Sequence, residues 1–355
     1  MTDFYRSDDR SAMDSIFDAQ KIAFGPVIFQ AAKVLRDTGI LELLHKKGEV
    51  GLDYHAIADE LNIPIYGVRV LCDAGLSIGV LYLKGDNYCL TKTGHFIVSD
   101  NMTNVNMDFV HDVCYKGMFR LDEAIRNEKP AGLLEFGKWD TIYQGLSQLP
   151  DKVKESWFGF DHFYSDKAFT EMIPVLFVED PTNILDVGGN TGKFSIECAS
   201  FSESVNITIL DHPGQLEMAR KNIEKHGFQD RIDTYAIDLL DHSQPYPKHF
   251  DIIWMSQFLD CFGPDDIVEL LLKAREALSE NGAIFILDTY WDRQRFETSS
   301  FCLNMTSLYF TTMANGNSRM YHSDDMISFV KKAGLEITDQ KDGIGLGHTY
   351  IKCKK

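Results

Sequence analysis

Between residues 183 and 291, short apolar stretches alternate with helical ones, and no other feature limits the fold of this chain so much. The stretches are NILDVGG (183–189), NITILDH (206–212), IDTYAIDLL (232–240), FDIIWMSQ (250–257) and AIFILDTYW (283–291). Their Ile, Leu and Val content and their length read as strands. Helical periodicity fills 192–201, 213–227 and 265–280. In the last of these, Pro264 stands near the first helical position with Asp265 and Asp266 behind it. Ile267, Leu271, Ala274 and Leu278 share one face, and Asn281-Gly282 stops the helix. Such alternation predicts a parallel sheet covered on both sides by helices. A further helix over 323–333 precedes LEITDQ (335–340) and HTYIKC (348–353), which flank a Gly-rich turn and predict a closing antiparallel hairpin.

In a sheet of this kind, ligands bind beyond the carboxyl ends of the strands. Asp186 closes the first stretch and opens Asp186-Val187-Gly188-Gly189-Asn190-Thr191-Gly192; Asp211 closes the second, and Asp238 falls at the end of the third. Gly188, Gly189 and Gly192 permit a tight strand-to-helix turn and close approach of a ligand to the backbone. An acid at the second tip can accept both hydroxyls of a ribose. Each acid alone reads as a helix cap or a solvated strand end, but acids at three successive tips beside a GGxTG loop read as a nucleoside site. Asn190 occupies the second glycine position of GxGxxG, and Lys193 is the one basic residue near the loop. A pyrophosphate is therefore poorly matched. A nucleoside that carries positive charge and no phosphate fits, and S-adenosylmethionine is such a molecule.

The rest of the chain is consistent with an enzyme of two domains. Its 355 residues are ample for two cores. The formal charge of −18 argues against a partner held through phosphates. Residues 1–105 read as an N-terminal domain. It contains a helix over 22–44 broken at Gly39, helices over 54–61 (capped by Asp53) and 65–78, and a hairpin from VLYL and YCLT. Helix, turn, helix, hairpin is the order of a winged helix. From Asp53 to Gly94 it carries Arg69, Lys84 and Lys92 against Asp53, Asp59, Glu60, Asp73 and Asp86. That balance favours packing or dimerisation over DNA binding. Residues 106–178 read as a helical, aromatic-rich linker, and 179–355 as the cofactor domain. The longest apolar run, 172–178, is far too short to span a membrane. The N-terminus has no apolar secretory core, and seven cysteines without a CxxC pair suit reduced thiols, so a cytoplasmic location is expected. No metal-ligand spacing is present.

With these residues in place, the chain resembles the S-adenosylmethionine-dependent O-methyltransferases of the plant caffeic acid type and their bacterial small-molecule relatives. The resemblance rests on ILDVGGNTGKF (184–194), ILDHPG (209–214), AIDLL (236–240), IWMSQFLDCFGPDD (253–266) and NMTSLYFTTMANGNSRM (304–320), together with the winged segment. It implies an α/β fold: a Rossmann-like seven-stranded sheet with its last strand antiparallel, behind an all-helical winged-helix dimerisation domain. A homodimer through that domain, S-adenosylmethionine as cofactor and a small hydroxyl-bearing acceptor are also implied. By position, the loop from Gly188 to Gly192 would lie against the methionyl part. Asp211 would hold the ribose, Asp238 and Leu239 would border the adenine, and Ser256 would stand where many members place a Lys.

The family's His-Asp pair after the fourth strand reads Asp260-Cys261 here, and its two flanking Glu positions fall at Asp288 and Ser318. Asp260 is therefore the expected base or orienting carboxylate, with Asp288 as the neighbour that could raise its pKa. Tyr164, Met172, Met305, Tyr309 and Met313 are expected to line an apolar acceptor cavity. Two other readings remain: a relative that keeps the cofactor but runs a different reaction or none, and a winged-helix regulator that senses a nucleoside.

Overall fold

The computed structural model describes residues 4–355. It divides into two compact units, Tyr5–Asp108 and Phe109–Lys355.

The first unit holds helices Ala12–Ala23, Gly25–Asp37, Ile40–Lys47, Tyr54–Leu61, Ile65–Ser77 and Lys92–Ser99, with strands β1 (Leu81–Lys84) and β2 (Asn87–Leu90) paired antiparallel. Gly39, at φ +83°, makes the expected break, because that backbone region is costly for any residue with a Cβ. Asp53 caps its helix by accepting the N–H groups of His55 (2.8 Å) and Ala56 (3.0 Å). Leu35, Ile40, Leu41, Leu44, Ile57, Val68 and Cys72 are fully buried in this unit's core. Helix Ala12–Ala23 lies outside the expected elements. It buries none of its residues, and Ser11 caps it through the Asp14 N–H. Without a buried face its apolar stripe of Met13, Ile16 and Phe17 gave no core signal.

The second unit begins with short turns: a π turn Val110–Cys114, helix Leu121–Asn127 and helix Ile142–Gly145. The long helix Asp151–Leu176 follows. Pro174 sits in its last turn, close to where the missing N–H ends the helix. The sheet contains β3 (Asn183–Val187), β4 (Asn206–Asp211), β5 (Ile232–Ala236), β6 (Phe250–Ser256), β7 (Leu278–Asp288), β8 (Glu336–Ile344) and β9 (His348–Lys354), in spatial order β5-β4-β3-β6-β7-β9-β8. Strands β5 to β7 across this order pair in parallel, and β9 runs antiparallel to both β7 and β8. The chain moves outward from β3 in both directions, so a crevice opens beyond the carboxyl ends of β3 and β6. Trp254 is fully buried and stacks on Phe194, ring centroids 4.4 Å apart, which fixes the helix after the Gly loop against the sheet. The third expected strand is shorter than its apolar pattern: β5 stops at Ala236, and Asp238 lies in the turn that follows.

Candidate active site

The crevice is a cavity of about 1430 Å³, mouth included. From the strand tips come Asp186, Gly188, Gly189, Asn190, Asp211, Leu239, Ser256, Gln257 and Asp260. From the helical segments come Phe109, Tyr143, Trp157, Phe160, Asp161, Tyr309 and Phe310.

The Gly loop is dictated by space. Gly188 has φ +73°, and a Cβ there would come within 2.5 Å of the Phe258 ring. A Cβ on Gly189 would lie 2.7 Å from the Asp186 carboxylate. Gly192, at φ +78°, starts helix Lys193–Phe201 and stands just behind the lining formed by Thr191 and Lys193. Asp186 is buried and accepts the Ser195 hydroxyl at 2.6 Å. Burial pushes its carboxyl up to about 7, with the nearby charge of Asp211 adding to the rise. Asp211 accepts two backbone N–H groups, from Asn190 at 2.8 Å and His212 at 2.6 Å, so its carboxylate is held in one orientation at the tip of β4. Burial raises its pKa as well. The Ser256 hydroxyl, the Gln257 amide oxygen and the Asn190 amide oxygen are buried and have no partner among the described residues.

Asp260 sits in the 3-10 turn Leu259–Cys261 after β6, is buried, and has the Cys261 thiol 3.5 Å from its Oδ1. Burial pushes it up to about 7; the Cys261 contact opposes this and the charge of Asp161 adds to it. Asp288, at the tip of β7, accepts the Phe258 N–H at 3.3 Å and is driven well above the usual carboxylate range by burial and then by Asp260. It stands behind the Asp260 turn and does not line the cavity.

Several expectations are corrected here. Asp260 and Asp288 act on one another through their charges, and Asp161 is a further carboxylate, not expected from the sequence, that raises Asp260. Asp238 is exposed and accepts the Leu240 N–H at 3.1 Å, so it organises its turn while Leu239 and Leu240 face the cavity. Of the five residues expected in the acceptor wall, Tyr309 lines it, held by a 2.7 Å hydrogen bond from the Trp157 indole N–H. Met172 is buried in the core between the long helix and the sheet, Met313 is buried beside Gly132, and Met305 is 47% exposed. Tyr164 packs on Phe160 and does not line the cavity. The lining residues Trp157, Phe160, Asp161, Ser165 and Phe169 of helix Asp151–Leu176 follow i+3 and i+4 spacing; Tyr164 and Met172 continue that spacing but do not line the cavity, Met172 being packed into the core instead. Sequence reasoning missed Tyr143 and Asp161. The available signal was an acid at i+4 from Trp157 within the aromatic-rich stretch Trp157–Tyr164. His162 also lines the cavity. Among the described residues no group of His, Cys, Asp or Glu could hold a metal.

Comparison with known proteins agrees with this geometry. Residues 17–88 match the Dimerisation2-like domain and residues 168–336 the O-methyltransferase domain. The chain is 25% identical over 272 residues to an L-tyrosine C(3)-methyltransferase from Streptomyces lavendulae, covering 76% of this chain and 73% of that one. It is 31% identical over 267 residues to N-terminal Xaa-Pro-Lys N-methyltransferase 2 from Danio rerio, covering 68% and 90%. Its fold is that of the S-adenosylmethionine-dependent methyltransferase SibL (TM-score 0.70, 24% identity, 94% of this chain and 98% of that one). The glycine loop, the acids at the strand tips, the seven-stranded sheet and these matches together assign the chain to the family of S-adenosylmethionine-dependent methyltransferases that join a Dimerisation2-like domain to an O-methyltransferase domain.

Proposed function

We propose that the protein transfers the methyl group of S-adenosylmethionine to a hydroxyl of a small aromatic molecule, with Asp260 as the base. The observation that carries this reading is a buried carboxyl, pushed up to about 7, at the edge of a cavity walled by aromatic side chains.

The cavity fits the cofactor. A Cβ on Gly188 or Gly189 would strike Phe258 or Asp186, so only a bare loop makes this tight bend at the cavity wall, and among the described residues the buried Ser256 Oγ and Asn190 Oδ1 have no protein partner. Four carboxylates line the cavity, while the lysine that lines it, Lys193, is paired with Asp166. When bound, S-adenosylmethionine supplies an electrophilic methyl group on a sulfonium. Asp211 holds the ribose, Asp186 lies under the Gly188–Gly192 loop, and Leu239 borders the adenine. Ser256 adds a polar contact at the tip of β6. Asp238 acts through its turn.

An unperturbed Asp is too weak a base to take a phenolic proton efficiently, and the raised value of Asp260 brings it into the useful range near neutrality. Asp288, behind the same turn, accepts the Phe258 N–H and so helps fix the position of Asp260. Phe160 stacks on Phe109 with centroids 4.0 Å apart, and Tyr309 is pinned by Trp157. This rigid wall would hold a flat ring in line for displacement, where alignment accounts for much of the rate. Homodimerisation through the first unit and residence in the cytoplasm, where the seven free thiols stay reduced, belong to the same proposal.

Label from methyl-labelled cofactor should appear in phenolic members of an acceptor panel, as an O-methyl group by NMR. The name of the relative from Streptomyces lavendulae favours one second reading, methylation of a ring carbon beside a phenol, since a base that ionises the phenol activates both positions. A C-methyl product would establish that alternative. Cofactor uptake with no labelled product from any phenol would leave the non-methylating reading instead.

A further inference from the structure

The site contains one departure that neither the ribose contacts nor the proton transfer uses. Asn190 stands in the Gly loop at φ +50°, a region costly for a residue with a Cβ. Its side chain reaches across to helix Asp151–Leu176, where Nδ2 donates to Asp161 Oδ2 at 3.2 Å. That bond orients the amide, because a carboxylate can only accept, so Oδ1 is the remaining free atom. Oδ1 is buried and has no partner among the described residues. Asp161 lines the same cavity, and among the described residues it forms no ion pair with a Lys or Arg; the nearby Lys193 is engaged by Asp166. Two hydrogen-bond acceptors, one of them a carboxyl group, thus meet beside the Gly loop, with His162 nearby and no Lys or Arg paired to them among the described residues. A group with several N–H donors and a positive charge completes such an arrangement, and burying the acceptors without one is unfavourable.

We infer that Asp161 and Asn190 together receive the ammonium group of the methionyl part of the cofactor. The inference rests on the cofactor reading above. The side-chain bond to Asp161 gives Asn190 a reason to occupy a position where glycine would be free of strain, and it makes the long helix part of the cofactor site.

Calorimetry on the full chain tests this without turnover. S-Adenosylhomocysteine carries the ammonium and a carboxylate, so its net charge is near zero. 5′-Methylthioadenosine lacks both groups. Asp161→Asn and Asn190→Gly should each weaken S-adenosylhomocysteine by about 10- to 100-fold, the scale of a hydrogen bond to a charged group. Both should leave 5′-methylthioadenosine unchanged. Asn190→Gly relieves the backbone strain, so a folded variant is expected. Equal weakening of both ligands would make the pair a structural clasp and overturn the inference, as would unchanged affinity for both. If the unaltered protein bound neither ligand, the cofactor reading would fail first, a result distinct from either of these.

Discussion

At the scale of single residues, burial turns ordinary aspartates into different reagents. Asp260 and Asp186 are both pushed up to about 7, mainly because an ionised carboxylate loses its water when enclosed. For Asp260 the consequence is catalytic. A base must be ionised, so kcat/KM should rise with pH through a midpoint near 7; a flat profile from about 5.5 to 8.5 would remove Asp260 from the mechanism. Asp260→Asn should cut turnover by about 10²- to 10⁴-fold, the usual scale of a lost general base, while calorimetry finds cofactor affinity unchanged. Asp260 was a candidate because it stands where the resembled family carries its His after the fourth strand. Its basicity was not legible, because it depends on Asp161, a residue 99 positions earlier in the chain, and on enclosure that no local pattern encodes.

At the scale of elements, the strand-to-helix turn after β3 is the most constrained piece of the molecule. Gly188→Ala should destabilise the protein by about 1–3 kcal/mol, the cost of holding a non-glycine residue in a left-handed conformation, even before the contact with Phe258 is relieved. Denaturant titration measures this; a change within about 0.5 kcal/mol would mean the loop is less rigid than its geometry. Such a turn is readable from sequence since glycine spacing and the flanking apolar strands are local. The helix Asp151–Leu176 teaches the opposite lesson. Its many aromatic residues surround the helix, so their spacing marks a helix without saying which side meets the ligand. Tyr164 and Met172 share the helical spacing of Trp157 and Phe160, and only packing in the folded unit decides that the latter pair line the cavity while Met172 enters the core.

At the scale of the molecule, the same raised carboxyl groups act on stability. Between pH of about 4 and 7 the unfolded chain has released the protons that Asp186 and Asp260 retain when folded. The folded state then binds more protons, and stability falls as pH rises through that window. Asp251, held low by hydrogen bonds from Thr182 and Asn183, contributes in the opposite sense, and only in stronger acid. The free protein should therefore resist denaturant better at pH 5.5 than at pH 7.5, and Asp260→Asn should reduce that difference; an unchanged difference would contradict the burial argument. The first unit exposes Met13 (74%), Phe17 (56%), Ile22 (80%) and Val27 (64%) along helices Ala12–Ala23 and Gly25–Asp37. So much apolar surface on neighbouring turns suits an interface. Sedimentation should find a dimer, and the pair Phe17→Glu and Ile22→Glu should yield monomers; a monomer before substitution would refute this face as the interface. The strand–helix alternation, the Gly loop and the acids at its strand tips follow from the amino-acid order, because hydrophobic period, turn chemistry and strand ends are short-range properties. Which carboxyl groups share one enclosure, which face of an aromatic helix lines it, and that Asp238 turns outward while Asp161 turns in were decided by packing, since burial and through-space charge depend on neighbours remote in the chain.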